Sequence, residues 1–90
     1  MIRTSINVKY KFARGWHVFE SDDVLGLYVA HRDAKKCFDD VQKIAANLLK
    51  VNEGSDYRVV SELSFDQFIK NLLINSYGSP RYTTLRLLSL

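Results

Sequence analysis

Apolar residues recur at every second position early in the chain and at three- and four-residue steps after it, and this change of period marks out the elements. Ile6, Val8, Tyr10 and Phe12 alternate with Asn7, Lys9 and Lys11, as in a strand with one buried and one polar face. Ala13, Arg14 and Gly15 supply a short turn, with Gly15 suited to positive φ. Residues 16–21 read as the returning strand. Trp16 and Val18 fall on one of its faces and His17 and Phe19 on the other, so both faces are expected to be partly covered. Ser21, Asp22 and Asp23 predict a turn whose side chains bond their own backbone. Residues 24–31 then form a third strand, interrupted at Gly26 by a bulge or a close backbone approach.

The period changes at Asp33, a good N-cap whose carboxylate suits the positive end of a helix. The helix spans residues 33–50, with Ala34, Cys37, Phe38, Val41, Ile44, Ala45 and Leu48 as its apolar stripe. Lys35, Lys36, Asp39, Asp40, Lys43, Asn47 and Lys50 occupy the other face, with Asp39 and Lys43 as a favourable pair. Gly54 provides a left-handed cap. Residues 57–63 form a short strand. Ser64 and Gln67 complete a capping box for a second helix, and Leu63 is placed to pack on Phe68. Phe65, Phe68, Ile69, Leu72, Leu73 and Ser76 trace that helix's inner face, and Gly78 with Pro80 ends it. Tyr82, Leu85 and Leu87 lead into an apolar terminus, expected to form a final strand on the sheet or on a second subunit.

The order of elements predicts one α+β domain of two layers: a β-β-β-α-β unit over residues 1–63, then a helix and tail over residues 64–90. The helices cover one face of the sheet, and the other face is either solvated or a contact surface. With 47% hydrophobic and 26% charged residues, the 90-residue chain has no bias towards disorder. Cys37 is the only cysteine, which excludes an intramolecular disulfide, and no apolar run approaches a membrane span. The N-terminal residues lead straight into strand pattern without a signal-type apolar region, so a cytoplasmic protein is expected. The net charge of +3 comes from Lys70, Arg81 and Arg86, since all ten acids lie at or before Asp66 and ten bases balance them.

Catalytic chemistry finds little footing. The four glycines are isolated, which leaves no phosphate-cradling loop. His17, His31 and Cys37 lack zinc spacing, so neither metal nor cofactor is expected. Cys37 falls on the apolar stripe, where a free thiol behaves as a small hydrophobe. Asp22 and Asp23 sit in a turn and Asp39 and Asp40 on a helix surface, so they do not converge as a two-metal site requires. A weak nucleic-acid interface is the remaining chemical option: Lys9, Lys11 and Arg14 adjoin Trp16 and His17, and Arg81 and Arg86 lie in the tail.

The run from Trp16 to Leu27, followed by Asp33, Phe38 and Val41, resembles the HicB-like antitoxin domain. Glu20, Ser21, Asp22, Asp23, Val24, Gly26 and Leu27 match that family's strand-end motif, and Leu25 stands where proline is usual. The resemblance covers residues 4–65 and implies a degenerate RNase H-like β-β-β-α-β fold without nuclease carboxylates. It further implies a homodimer that masks the active site of a small mRNA-cleaving toxin. The residues after Ser64 are too few for a complete DNA-binding module of the kind full antitoxins carry. The expectation is therefore a non-catalytic protein-binding module, with Trp16, Phe19, Asp22, Asp23 and Tyr28 as contacts. A phage or mobile-element inhibitor of a host nucleoprotein complex, built on the same scaffold, is the alternative.

Overall fold

In the computed structural model, which describes residues 4–74 and 81–89, a hairpin is the first element built. Strands β1 (Ser5–Ala13) and β2 (Trp16–Glu20) pair antiparallel, with Ala13 opposite Trp16. The connection is two residues long. Arg14 (φ 54°) and Gly15 (φ 83°) both take the left-handed conformation, which matches the right-handed twist of the strands. On β1 the alternation does what the sequence predicts: Ile6, Val8 and Tyr10 are buried. Phe12 keeps the phase but is 58% exposed, its ring centroid 4.7 Å from that of His17.

The third strand is shorter than expected. β3 covers Tyr28–His31 only and pairs with β2. Residues 21–27 form a loop, in which Gly26 takes φ 83° and Leu27 N–H donates to Val24 O at 3.1 Å. Val24 and Leu27 are nevertheless buried, since both side chains drop from the loop into the core. Burial at a spacing of three here comes from a folded loop.

Helix α1 (Ala34–Glu53) starts as predicted and runs three residues further. The Asp33 carboxylate accepts from Lys36 N–H at 3.0 Å, and Gly54 closes the helix at φ 68° by donating to Lys50 O. Its buried stripe is Cys37, Phe38, Val41, Ala45 and Leu49. Ile44 turns outward and Leu48 is half-buried, so the stripe is rotated slightly from the expected one. Asp39 pairs with Lys35 at 2.9 Å, not with Lys43.

Strand β4 (Tyr57–Ser61) follows, then α2 (Phe65–Ile74). The capping box closes in both directions: Gln67 N–H donates to Ser64 Oγ and Ser64 N–H to Gln67 Oε1. Phe68 is buried among the rings of Tyr10, Phe19 and Phe38. Leu73, expected on the inner face, is 74% exposed. Ser76, Gly78 and Pro80 lie outside the described residues.

The segment expected as a terminal strand is β5 (Arg81–Ser89), and it completes the sheet from within. The strand order is β3-β2-β1-β5-β4, with every neighbouring pair antiparallel. β4 therefore pairs with β5 alone, and β5 stands between it and β1. Leu85 and Leu87 join the core, while Tyr82 points to the opposite face at 67% exposed.

Candidate functional site

Both helices bury their apolar residues against one face of the sheet, and strand alternation then dictates what the other face carries. Lys9 and Lys11 of β1 share it with Trp16, Val18 and Glu20 of β2, Tyr28 of β3, and Tyr82, Arg86 and Leu88 of β5. Four large apolar or aromatic residues stand exposed there: Trp16 (41%), Tyr28 (58%), Tyr82 (67%) and Leu88 (41%). Val18 is buried on this open face beneath its neighbours, whereas Phe19 is buried beneath the helices. The Arg32 guanidinium lies over the Trp16 ring at 4.8 Å, and Lys11 pairs with Glu20 at 3.5 Å.

At one end of the β1–β2 ladder the open face deepens into a cavity of about 420 Å³. Lys9, Glu20, Tyr28 and Tyr82 form its sheet side, with Asn7, Leu27 and residues 21–23 around them. The loop is held to β1 by its own side chains. Asn7 N–H donates to Asp23 Oδ2 at 2.8 Å, and Ser21 Oγ–H donates to Asn7 O at 2.6 Å. Asp23 N–H donates in turn to Ser21 Oγ at 3.0 Å. Two side chains thus replace the strand residues that would have continued the ladder.

Of the contact residues expected from sequence, Trp16 and Tyr28 lie on the open face, and Asp22 and Asp23 line the cavity. Phe19 does not join them. It is 1% exposed, with ring centroids 5.1 Å from Tyr10, 5.5 Å from Phe68 and 6.4 Å from Phe38, so it is a core residue. Sequence reasoning missed Tyr82 as a wall of this site, because only the β1–β5 register sets it opposite Lys9.

The expected nucleic-acid set is divided as well. Lys9, Lys11 and Arg86 share the open face, and Arg14 sits exposed in the hairpin turn. Arg81 donates from one guanidinium nitrogen to Leu72 O (2.8 Å) and Asn71 O (3.3 Å), and so is engaged by the carbonyls near the end of α2.

The nucleophilic and titratable groups sit elsewhere. Cys37 is fully buried, its Sγ–H directed at His17 O (3.3 Å) and Val29 O (3.6 Å), and burial pushes its thiol up to about 11. A thiol held there is not a thiolate at neutral pH. His17 Nδ1 lies 2.7 Å from the Tyr10 hydroxyl, and burial lowers the histidine below its ordinary value. His31 Nδ1 accepts from Asp33 N–H at 3.0 Å. Among the described residues no three His, Cys, Asp or Glu side chains are grouped to hold a metal, and no helix is long and apolar enough to cross a membrane.

Compared with protein-family models, with curated proteins and with solved structures, the chain matches none of them.

Proposed function

We propose that this protein is a non-catalytic protein-binding module whose contact surface is the open face of the sheet, and that it acts as a HicB-like antitoxin by direct contact with an mRNA-cleaving toxin. Four exposed large residues on one uncovered sheet face, Trp16, Tyr28, Tyr82 and Leu88, carry this reading. Exposed aromatics rimmed by charge are what binding patches present, and a sheet anchored from behind by two helices holds them with little ordering cost. The Glu20, Ser21, Asp22 and Asp23 run supports the antitoxin form, since it builds the corner of that face. The β5 strand between β1 and β4 is an addition to the β-β-β-α-β unit the resemblance implies.

Affinity purification of the tagged chain from its native cells tests this, followed by co-expression with whatever protein is recovered in stoichiometric amount. The expected outcome is a small protein whose expression alone arrests growth and degrades mRNA, with both effects relieved by the chain. A partner without toxicity would favour the inhibitor role on the same face. Recovery of no protein would contradict the reading.

A nucleic-acid interface is the second reading, because Lys9, Lys11 and Arg86 share the face with three exposed aromatics. It requires retention of labelled single strands at about 50 mM salt that falls steeply as salt rises.

A further inference from the structure

Strand β4 ends the sheet, and its pairing with β5 decides which of its backbone groups stay open. Glu62 N–H donates to Thr84 O at 3.0 Å, so residues 58, 60 and 62 turn their amides to β5. Residues 57, 59 and 61 turn theirs outward. Ser61 N–H is taken by Gln42 Oε1 at 3.2 Å, while the amides of Tyr57 and Val59 have no partner among the described residues. A cavity of about 430 Å³ lies beside this open window, with Gln42, Lys43 and Ala46 of α1 on one wall and residues 57–59 on the other. Asp39 also lines it and is already paired with Lys35 at 2.9 Å. Arg58, between the two open residues, stands opposite Leu88 on the open face. It is exposed and has no ion-pair partner among the described residues.

A second copy of the chain fits this edge badly. Two-fold symmetry makes the added strand antiparallel. The register that leaves the Gln42 bond in place sets Tyr57 of one copy against Val59 of the other and centres on Arg58. Two guanidinium groups then meet at a close, non-hydrogen-bonded position, where like charges destabilise. Centring on Val59 or Val60 instead requires the Ser61 amide, which Gln42 holds.

We propose that the outer edge of β4 receives an extended strand of another protein, in which an acidic residue lies between two apolar ones. The backbone of the two apolar residues pairs with Tyr57 and Val59, as strand addition requires. Their side chains point to the helical side, where Ala46, Tyr57 and Val59 offer apolar contact. The acidic residue points to the open face and meets Arg58. This edge is separate from the exposed aromatics of the open face, and neither surface depends on the other.

The test is a chemical-shift titration of the isotope-labelled full chain with acetyl-Thr-Val-Glu-Val-Thr-amide. Two comparison peptides carry lysine in place of glutamate, or N-methyl groups on both valines. The first peptide is expected to shift the amides of residues 57–60, Gln42 and Ala46. The lysine peptide is expected to bind about fivefold more weakly, and the N-methylated one about tenfold more weakly or less, since its backbone cannot donate. Arg58→Glu reverses the order of the two charged peptides and leaves the circular dichroism spectrum unchanged. Tyr28→Ser with Tyr82→Ser leaves the binding intact, which keeps this result apart from that of the open face. Undiminished binding of the N-methylated peptide, an order that Arg58→Glu does not reverse, or shifts centred elsewhere would overturn the proposal. So would the absence of shifts at about 1 mM peptide. A dimer that forms through these amides without peptide would assign the edge to a second copy and overturn it as well.

Discussion

Trp16 and Phe19 lie on one five-residue strand, yet they belong to opposite sides of the sheet and to different tasks. Phe19→Ala removes a ring enclosed by three others and is expected to cost about 3–5 kcal/mol of unfolding free energy in urea titration. Tyr28→Ser, on the exposed face, is expected to stay within about 0.5 kcal/mol. Thr83 presents the reverse case. Its Oγ1 is buried without a hydrogen-bond partner among the described residues, so Thr83→Val removes a desolvated hydroxyl and is expected to raise stability by up to about 1 kcal/mol. His17 carries a pH dependence. Burial lowers its folded-state value below the ordinary 6.5, so the unfolded chain takes up the proton first as pH falls. The stability this neutral imidazole retains is present above pH 6.5 and declines as pH drops below it. Denaturation midpoints at pH 7.5 and 5.5 should show a drop that is smaller in His17→Gln. The alternation on β2 was legible in the sequence; which face the helices cover was not, because Val18 and Phe19 are both apolar and both buried.

At the scale of elements, the helix ends were the most legible features, since caps depend on local chemistry. Asp33, Gly54 and the Ser64–Gln67 box all act where the sequence placed them. Ser64→Ala is expected to cost about 1 kcal/mol, read in thermal unfolding. The β3 boundary was not legible. Val24 and Leu27 are as apolar as strand residues, but the loop is set by two hydrogen bonds with Asn7 of β1, one donated by Ser21 Oγ–H and one accepted by Asp23 Oδ2, across a span no local pattern reports. Strand β4 lies at one edge of the sheet, and Gln42 of α1 guards part of it: its Oε1 accepts from Ser61 N–H at 3.2 Å while its Nε2 donates to Phe38 O at 2.9 Å. Unpaired strand edges invite pairing with other chains. Gln42→Ala frees that amide, and self-association is expected to rise, measured by light scattering at increasing protein concentration.

For the whole molecule, the decisive strand is the last one. Because β5 joins β4 to β1, its Leu85 and Leu87 are part of the core, and their position depends on contacts from one end of the chain to the other. Sequence pattern revealed that Leu85 and Leu87 needed burial; it could not reveal that they insert between β1 and β4, since period and propensity are silent on pairing order. The same long-range register brings Tyr82 to Lys9, which is why this wall of the cavity escaped the sequence reading. The central claim is that function lies on the uncovered face of this sheet. The most direct measurement is the affinity of the purified partner for two double variants of equal stability, Tyr28→Ser with Tyr82→Ser on the open face and Val51→Ser with Leu73→Ser on the helices. A loss of about a hundredfold or more for the open-face pair, with wild-type affinity for the helical pair, is the predicted result. Wild-type affinity in the open-face pair, or a loss confined to the helical pair, would contradict it.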